Sequence, residues 1–418
     1  MNRLVVIDGL RGIGAISIAL YHIFRYGPLP EAAKGLLPDW MSTGMANGWM
    51  AVQWFFVMAG IGATFALRSR RCTLGDVPGQ IGWRVLRLGP AYWLTVLVTA
   101  LLTLIAILGF NDGTLNETLP TLPQLAAHLT FSQDVLGYDC LTTGIWFIAI
   151  ALQLEIAFVT LFAIATMIDG RLYGRSDRID DGRTTTIGHG LTRSMAAALP
   201  NRWILVLCFA PLTLWSLFDS VRDPATDVWF HHFFCLYMLG VVAGWQLDGR
   251  LRSAWFWALA GLIAGALCWQ FVREVCISLV AAVTIVITCR MPSMQRLFGC
   301  KPLQYLGRIS YSLFLVHYPV SWLVGRVGYR LTGDQPLTAL AWLMLGLFAS
   351  IAVADLMYRF VERPALEWGR AIIRRGTNPP KHVDHDQPSD DQPKTPHFLG
   401  KSREAGRRDE VLVPGASA

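Results

Sequence analysis

The chain has 418 residues, 53% of them hydrophobic and only 16% charged, with a net charge of +7 and a mean hydropathy of +0.42. A soluble protein carries about 25% charged residues. Apolar runs recur here from end to end, which excludes a soluble domain on a single anchor and predicts a polytopic membrane protein. The positive charge does not call for a nucleic-acid partner, because its arginines gather in loops between apolar runs.

The first apolar run, about 5–24, is long enough to span a bilayer, yet it holds Asp8, Arg11 and His22, each costly at membrane depth. At about 100° per residue, Arg11 and His22 fall within about 20° of one another around the helix, and Asp8 about 40° to the other side of His22. The three form one polar stripe with Ala15 and Ile18 as fillers. Arg11 and His22 stand roughly 16 Å apart along the axis, about half the hydrocarbon thickness. Such a stripe is expected to face a wet interior pathway and not lipid. Asp8 and Arg11 interrupt the apolar core, and no small-residue cleavage site follows, so a cleavable signal peptide is not expected.

Further spans are expected near 49–67, 88–110, 144–168, 203–218, 229–247, 254–272, 274–290, 310–328 and 338–361, giving an all-α fold of about ten transmembrane helices. The seventh and eighth are separated only by Arg273-Glu274 and should form a tight hairpin. With the N-terminus in the cytoplasm, the inner loops are 68–87, 169–202, 248–253 and 291–309. The first carries Arg68, Arg70, Arg71, Arg84 and Arg87, and the second six arginines from Arg171 to Arg202. The opposite loop, 111–143, has Asp112, Glu117, Asp134 and Asp139 and no Lys or Arg. That alternation follows the positive-inside rule and puts both termini in the cytoplasm, with the chain in the inner membrane. Residues 1–374 read as a membrane core. From 375 onward the chain is rich in Pro and Asp and poor in apolar residues, which predicts a disordered cytoplasmic tail. No internal repeat is visible. Of the eight cysteines, most lie in or beside apolar spans, without CxxC pairs or disulfide spacing, and read as packing residues.

Arg84 and Arg87 stand one helical turn apart at the entry to the third span, where two guanidiniums can grip a phosphorylated ligand; setting topology and touching lipid headgroups is the plainer reading. Glu155 lies about eleven residues into the fourth span and needs a partner or a proton; Gln153 is buried nearby. A structural hydrogen bond serves these two as well as a binding role does. His231 and His232 are adjacent, so they point to different helix faces and make a poor metal pair; no metal site is expected. His317 shares a face with Ser310 but has no acid to complete a triad, and reads as a buried, satisfied histidine. Glu362-Arg363-Pro364 reads as a helix stop. His22 is then a base or nucleophile towards the outside, with Arg11, Arg84 and Arg87 supplying positive charge towards the inside.

At these residues the chain resembles the acyltransferase 3 family of integral membrane acyltransferases. The opening Asp8-Gly-Leu-Arg11-Gly with His22 is similar to the family's first helix. Trp54-Phe55-Phe56-Val57-Met58-Ala59-Gly60 resembles its second, with Ala59 where Ser is usual. Arg84-Val-Leu-Arg87-Leu-Gly-Pro90-Ala-Tyr92 resembles its basic RxxR entry to the third, and Ile309 to Pro319 with Tyr358 to Pro364 resemble its last two. The fourth span departs: Ala151 stands where the family carries a Glu after Trp146, and Glu155 follows one turn later. Either Glu155 substitutes or the site is tuned to another acceptor.

The resemblance implies transfer of an acyl group, taken as acetyl, from cytoplasmic acyl-CoA to a hydroxyl of an extracytoplasmic glycan or other cell-surface molecule. It implies that His22 takes part, as base or acyl carrier, with Arg11 and Asp8 beside it in the catalytic set. Arg84 and Arg87 would hold the acyl-CoA, and Trp146, Glu155 and His317 are the positions offered to substrate. Expected partners are membrane lipid and a glycan or lipid-linked sugar acceptor. The rival reading is a transporter or flippase of an anionic or lipid-linked sugar, which would use the same stripe of charges.

Overall fold

The computed structural model describes residues 3–68, 72–110, 119–173 and 199–376. Most of the irregular loop expected over 169–202, and the polar tail beyond 376, lie outside the described residues. Among the described residues every regular element is helical. In chain order these are α1 (Arg3–Ile23), α2 (Leu29–Ala33), α3 (Asp39–Ala46), α4 (Ala51–Ala66), α5 (Val77–Ile105), α6 (Leu122–Leu129), α7 (Ile145–Tyr173) and α8 (Arg202–Phe218). They continue with α9 (Phe230–Leu247), α10 (Ser253–Trp269), α11 (Arg273–Thr288), α12 (Pro292–Phe298), α13 (Lys301–Thr332), α14 (Pro336–Met357) and α15 (Arg363–Gly376).

Six stretches are long and apolar enough to cross a membrane: Val5–Ile23, Asp39–Ala66, Leu74–Leu108, Ile145–Tyr173, Arg202–Arg222 and Pro336–Gly369. A seventh is possible if α11 and α12, bent by 106° at their junction, count as one span. Each of the ten expected spans coincides with a helix, but not each helix has a span's composition. α10 has only 17 residues. His231, His232 and Gln246 dilute the apolar character of α9. α13 spreads Ser310, Ser312, His317, Arg326 and Arg330 along its 32 residues. The hairpin expected at Arg273-Glu274 turns slightly earlier: α10 ends at Trp269, and both charged residues open α11.

Helices in lipid gain little from hydrophobic burial against one another, so close packing through small residues has to hold them. That is how α1 meets α13. A Cβ on Gly12 would lie 2.8 Å from the Gly307 nitrogen, and one on Gly307 would run into the Asp8 carbonyl. The same device joins α4 to α9, where Gly60 and Gly240 let the Tyr237 and Val57 carbonyls of the facing helix approach. These two crossings fix the first helix against the thirteenth and the second expected span against the sixth. Prolines at 90, 211 and 319 lie inside α5, α8 and α13. A single π-helical turn, Tyr358–Glu362, joins α14 to α15. π turns cost regular hydrogen bonding and recur at functional sites, and this one ends on a buried carboxylate.

Candidate functional site

Polar groups collect at the two ends of α1. The outer-numbered end is built on His22, in the last turn of the helix. Its ring lies 5.2 Å from that of His317 on α13, stacks on Tyr26 at 5.6 Å and meets the edge of Tyr318 at 6.0 Å. His317 is fully buried, and its Nδ1 donates to the Leu313 carbonyl one turn back at 3.0 Å. A carbonyl only accepts, so the proton sits on Nδ1 and Nε2 is left as a bare acceptor. Nε2 of His317 and Nδ1 of His22 are both buried without a hydrogen-bond partner among the described residues. An unsatisfied buried polar group costs about 1–3 kcal/mol. Two of them on neighbouring imidazoles mark a place kept for a ligand or a moving proton. A cavity of about 320 Å³ opens against His22.

The other end holds Asp8 and Arg11, 4.0 Å apart and a third to a half exposed. Asp8 is roughly 21 Å along the axis from His22, so it acts on Arg11 and not on the imidazole. Facing them is Glu362, buried at the end of the π turn, where it accepts a hydrogen bond from Ser312 at 2.7 Å. Arg11 and Arg87 are its cationic neighbours. Tyr311 closes this wall, its hydroxyl donating to the Leu88 carbonyl at 2.7 Å.

The two arginines of the RxxR stretch do different things. Arg84 is ion-paired with Glu155 of α7. The other oxygen of that carboxylate accepts from the Tyr237 hydroxyl of α9 at 3.0 Å. Glu155 thereby has the partner its depth requires, and Arg84, Glu155 and Tyr237 tie three helices together. Arg87, one turn on, makes no ion pair or hydrogen bond with any described residue. Its charge stands among Arg84, Arg11 and Glu362.

Between the two ends the stripe is closed. Ala15 and Ile18 are buried. Phe314 lies three residues before His317, against Phe55 at 5.8 Å and Phe147 at 5.5 Å, while Phe55 also reaches α1 at Gly14. The stripe does face the interior, and an aromatic contact packs beside its middle. Trp146 packs on Phe56, Phe147 and Phe233 beside this closure.

Other candidates resolve into structural roles. Gln153 donates to the Val228 carbonyl at 3.3 Å and accepts from the Phe230 amide at 3.1 Å, holding the start of α9. His231 bonds the Ser220 hydroxyl at 2.7 Å and His232 that of Thr226 at 2.9 Å. Ser310 turns to its own helix, donating to the Gly307 carbonyl at 2.8 Å. Glu362, Tyr237, Tyr311 and Arg326 escaped the reading of the sequence. Only Arg326, a cation within an apolar helix, carried a signal there; Glu362 looked like a helix stop.

Compared with known proteins, a family model described as an acyltransferase domain matches residues 4–359. That range includes both ends of the stripe, the Arg84–Glu155 pair and His317, and stops just short of Glu362. No curated protein and no solved structure matches the chain.

Proposed function

We propose a reaction from one premise: the chain belongs to the acyltransferase 3 family. It is a membrane acyltransferase in general terms; our reading adds donor, acceptor and direction. An acyl-CoA, with acetyl-CoA as the simplest, enters from the cytoplasm at the Arg11–Arg87 end. A hydroxyl of a glycan or other cell-surface molecule receives the acyl group at the His22 end. The chain sits in the inner membrane with ten spans and both termini in the cytoplasm.

The observation that supports this reading is the division of labour along α1, with imidazole nitrogens that have no hydrogen-bond partner among the described residues at one end, and at the other a guanidinium, Arg87, with Glu362 beside it but no ion pair to any described residue. CoA brings phosphates, and Arg87 with Arg11 offers guanidiniums to hold them, with Glu362 as the charge they give up in exchange. Arg84 acts at one remove, keeping the helix that bears Arg87 fixed through Glu155. The thin pantetheine arm lies along the stripe and parts the Phe55–Phe147–Phe314 contact. His22 takes the proton from the acceptor hydroxyl as its oxygen attacks the thioester carbonyl. The carbon–sulfur bond breaks, the ester forms, and the thiolate leaves with the proton returned by the imidazole. His317, with a bare Nε2 beside His22, steadies the imidazolium by sharing its proton.

The test is purified protein in liposomes given labelled acetyl-CoA and a supplied glycan, following CoA release and label on the glycan. His22→Ala should abolish both while expression and fold persist. Product retained in that variant would remove His22 from the chemistry. Saturable movement of a sugar or lipid without thioester turnover would replace the reading with a transporter.

A further inference from the structure

Away from the stripe, α8 and α10 are pinned together at both ends and stand apart between them. Their first turns meet where the Trp203 ring lies 5.7 Å from that of Trp255, and their last turns where Phe218 lies 6.1 Å from Trp269. Between these aromatic struts is a groove of about 280 Å³, floored by Met238, Val242 and Trp245 of α9. Its wall on α8 is one face of that helix, running from Arg202 to Leu214, roughly 18 Å along the axis. That is about the depth of one leaflet of a ~30 Å hydrocarbon layer, and α8 belongs to a stretch long and apolar enough to cross one. Water needs several polar partners to settle in a gap, and the groove offers few. The one hydroxyl in its wall, on Thr213, is spent on the Phe209 carbonyl at 2.8 Å. Arg202 is the one charged residue in the lining. It is exposed, its guanidinium lies 5.8 Å from the Trp203 ring, and no acid among the described residues pairs with it. Two acids of the same end of the bundle are taken: Asp169 accepts from the Asn201 amide at 3.0 Å, and Asp248 pairs with Arg68 at 3.1 Å.

We propose that this groove seats one acyl chain of an anionic phospholipid from the cytoplasmic leaflet, with the lipid phosphate held at Arg202. The inference goes beyond acyl transfer and does not depend on it; only the choice of leaflet follows our reading of the orientation. A groove one leaflet deep, apolar along its length and cationic at its mouth alone, has the polarity of a phospholipid chain below its headgroup. The planar guanidinium meets a phosphate with two parallel hydrogen bonds. Trp203 and Trp255 flank the mouth, at the level where amphipathic indoles settle between headgroup and hydrocarbon. The floor links the chain to the rest of the bundle. Met238 follows Tyr237, whose hydroxyl holds Glu155, and Trp245 packs on Phe158 and Phe162 of α7. A filled groove thus braces α9 from behind against the helix that carries Glu155.

The experiment uses the full chain, stripped of lipid in detergent micelles and followed by native mass spectrometry. The probes are phosphatidylglycerol and phosphatidylcholine with the same palmitoyl chains. One copy of phosphatidylglycerol should be retained about fivefold more tightly, the effect of one arginine on an anionic headgroup, and this advantage should shrink as salt rises. Arg202→Gln should erase the advantage and Arg202→Lys keep part of it, so the lysine variant serves if the glutamine variant does not fold. Ala258→Phe, which fills the groove from the α10 side, should lose the retained copy of either lipid. Equal retention of the two lipids, or an advantage untouched in a folded Arg202→Gln, overturns the proposal. A copy that survives in a folded Ala258→Phe sits elsewhere and overturns it too. Displacement of that copy by equimolar palmitoyl-CoA would give the groove to a donor's acyl chain, and the phospholipid assignment would fall.

Discussion

Arg84 and Arg87 are separated by one turn of one helix, and their surroundings set them apart. Arg84 is held with Glu155 in a buried ion pair, and breaking such a pair leaves a charge without compensation, at about 3–5 kcal/mol. Glu155→Gln should therefore lower the thermal unfolding temperature sharply, and so should Arg84→Gln. The double replacement Arg84→Met with Glu155→Leu should recover much of the loss, since no buried charge remains. Arg87→Gln should leave unfolding nearly unchanged and raise the KM for acyl-CoA instead. Unfolding curves and donor titrations on the same four proteins check both halves; matching behaviour of Arg84→Gln and Arg87→Gln would refute the distinction. The sequence displays every one of these charges, and the RxxR spacing is visible in it. The pairing is not, because Tyr237 lies 82 residues beyond Glu155 and Ser312 lies 50 before Glu362. Periodicity sorts residues onto the faces of one helix; it does not say which other helix comes to meet that face.

At the scale of elements, α6 and the turn after it form a tether for the middle of α5. The Tyr92 hydroxyl donates to Gln133 at 3.3 Å, and Gln133 and Cys140 both bond Asp134. His128 is fixed as a neutral ring: its Nδ1 donates to the Gln124 carbonyl at 2.8 Å, and its Nε2 accepts from the Leu141 amide at 3.3 Å. Burial holds its pKa below the ordinary 6.5, so the unfolded chain takes up a proton there that the folded loop resists. Stability is then fully present above 6.5 and is lost as pH falls below it. Thermal unfolding followed from about pH 7.5 to about pH 5.5 should show this slope, and His128→Gln should flatten it. An unchanged slope in the variant would assign the effect to another group. The spacing of apolar residues makes α5 legible here, whereas α6 and the turn after it read only as an acidic loop, since their order comes from side chains bonding across the turn.

For the whole molecule, the positive-inside pattern and the two-ended site make one claim about orientation. Cys300, just before α13, is exposed at the Arg11 end of the bundle, and Asp223 is exposed in the turn between α8 and α9. In intact cells a membrane-impermeant maleimide should label Asp223→Cys and spare Cys300 until the membrane is opened, as read by peptide mapping. The opposite result would invert the direction of transfer.

A membrane with a voltage across it puts a further demand on such a bundle, about 2.3 kcal/mol for each elementary charge per 100 mV. Charged groups reaching inward from both faces, joined by a thread of water, would be a wire for protons. Phe55, Phe147 and Phe314 are the break in that wire. On the acyl-transfer reading proposed above, their meeting beside the middle of the stripe would act as an insulator, opened by a slender, uncharged arm that fills the gap it makes. On that reading, a thioester would then cross the electric field of the membrane while the current does not.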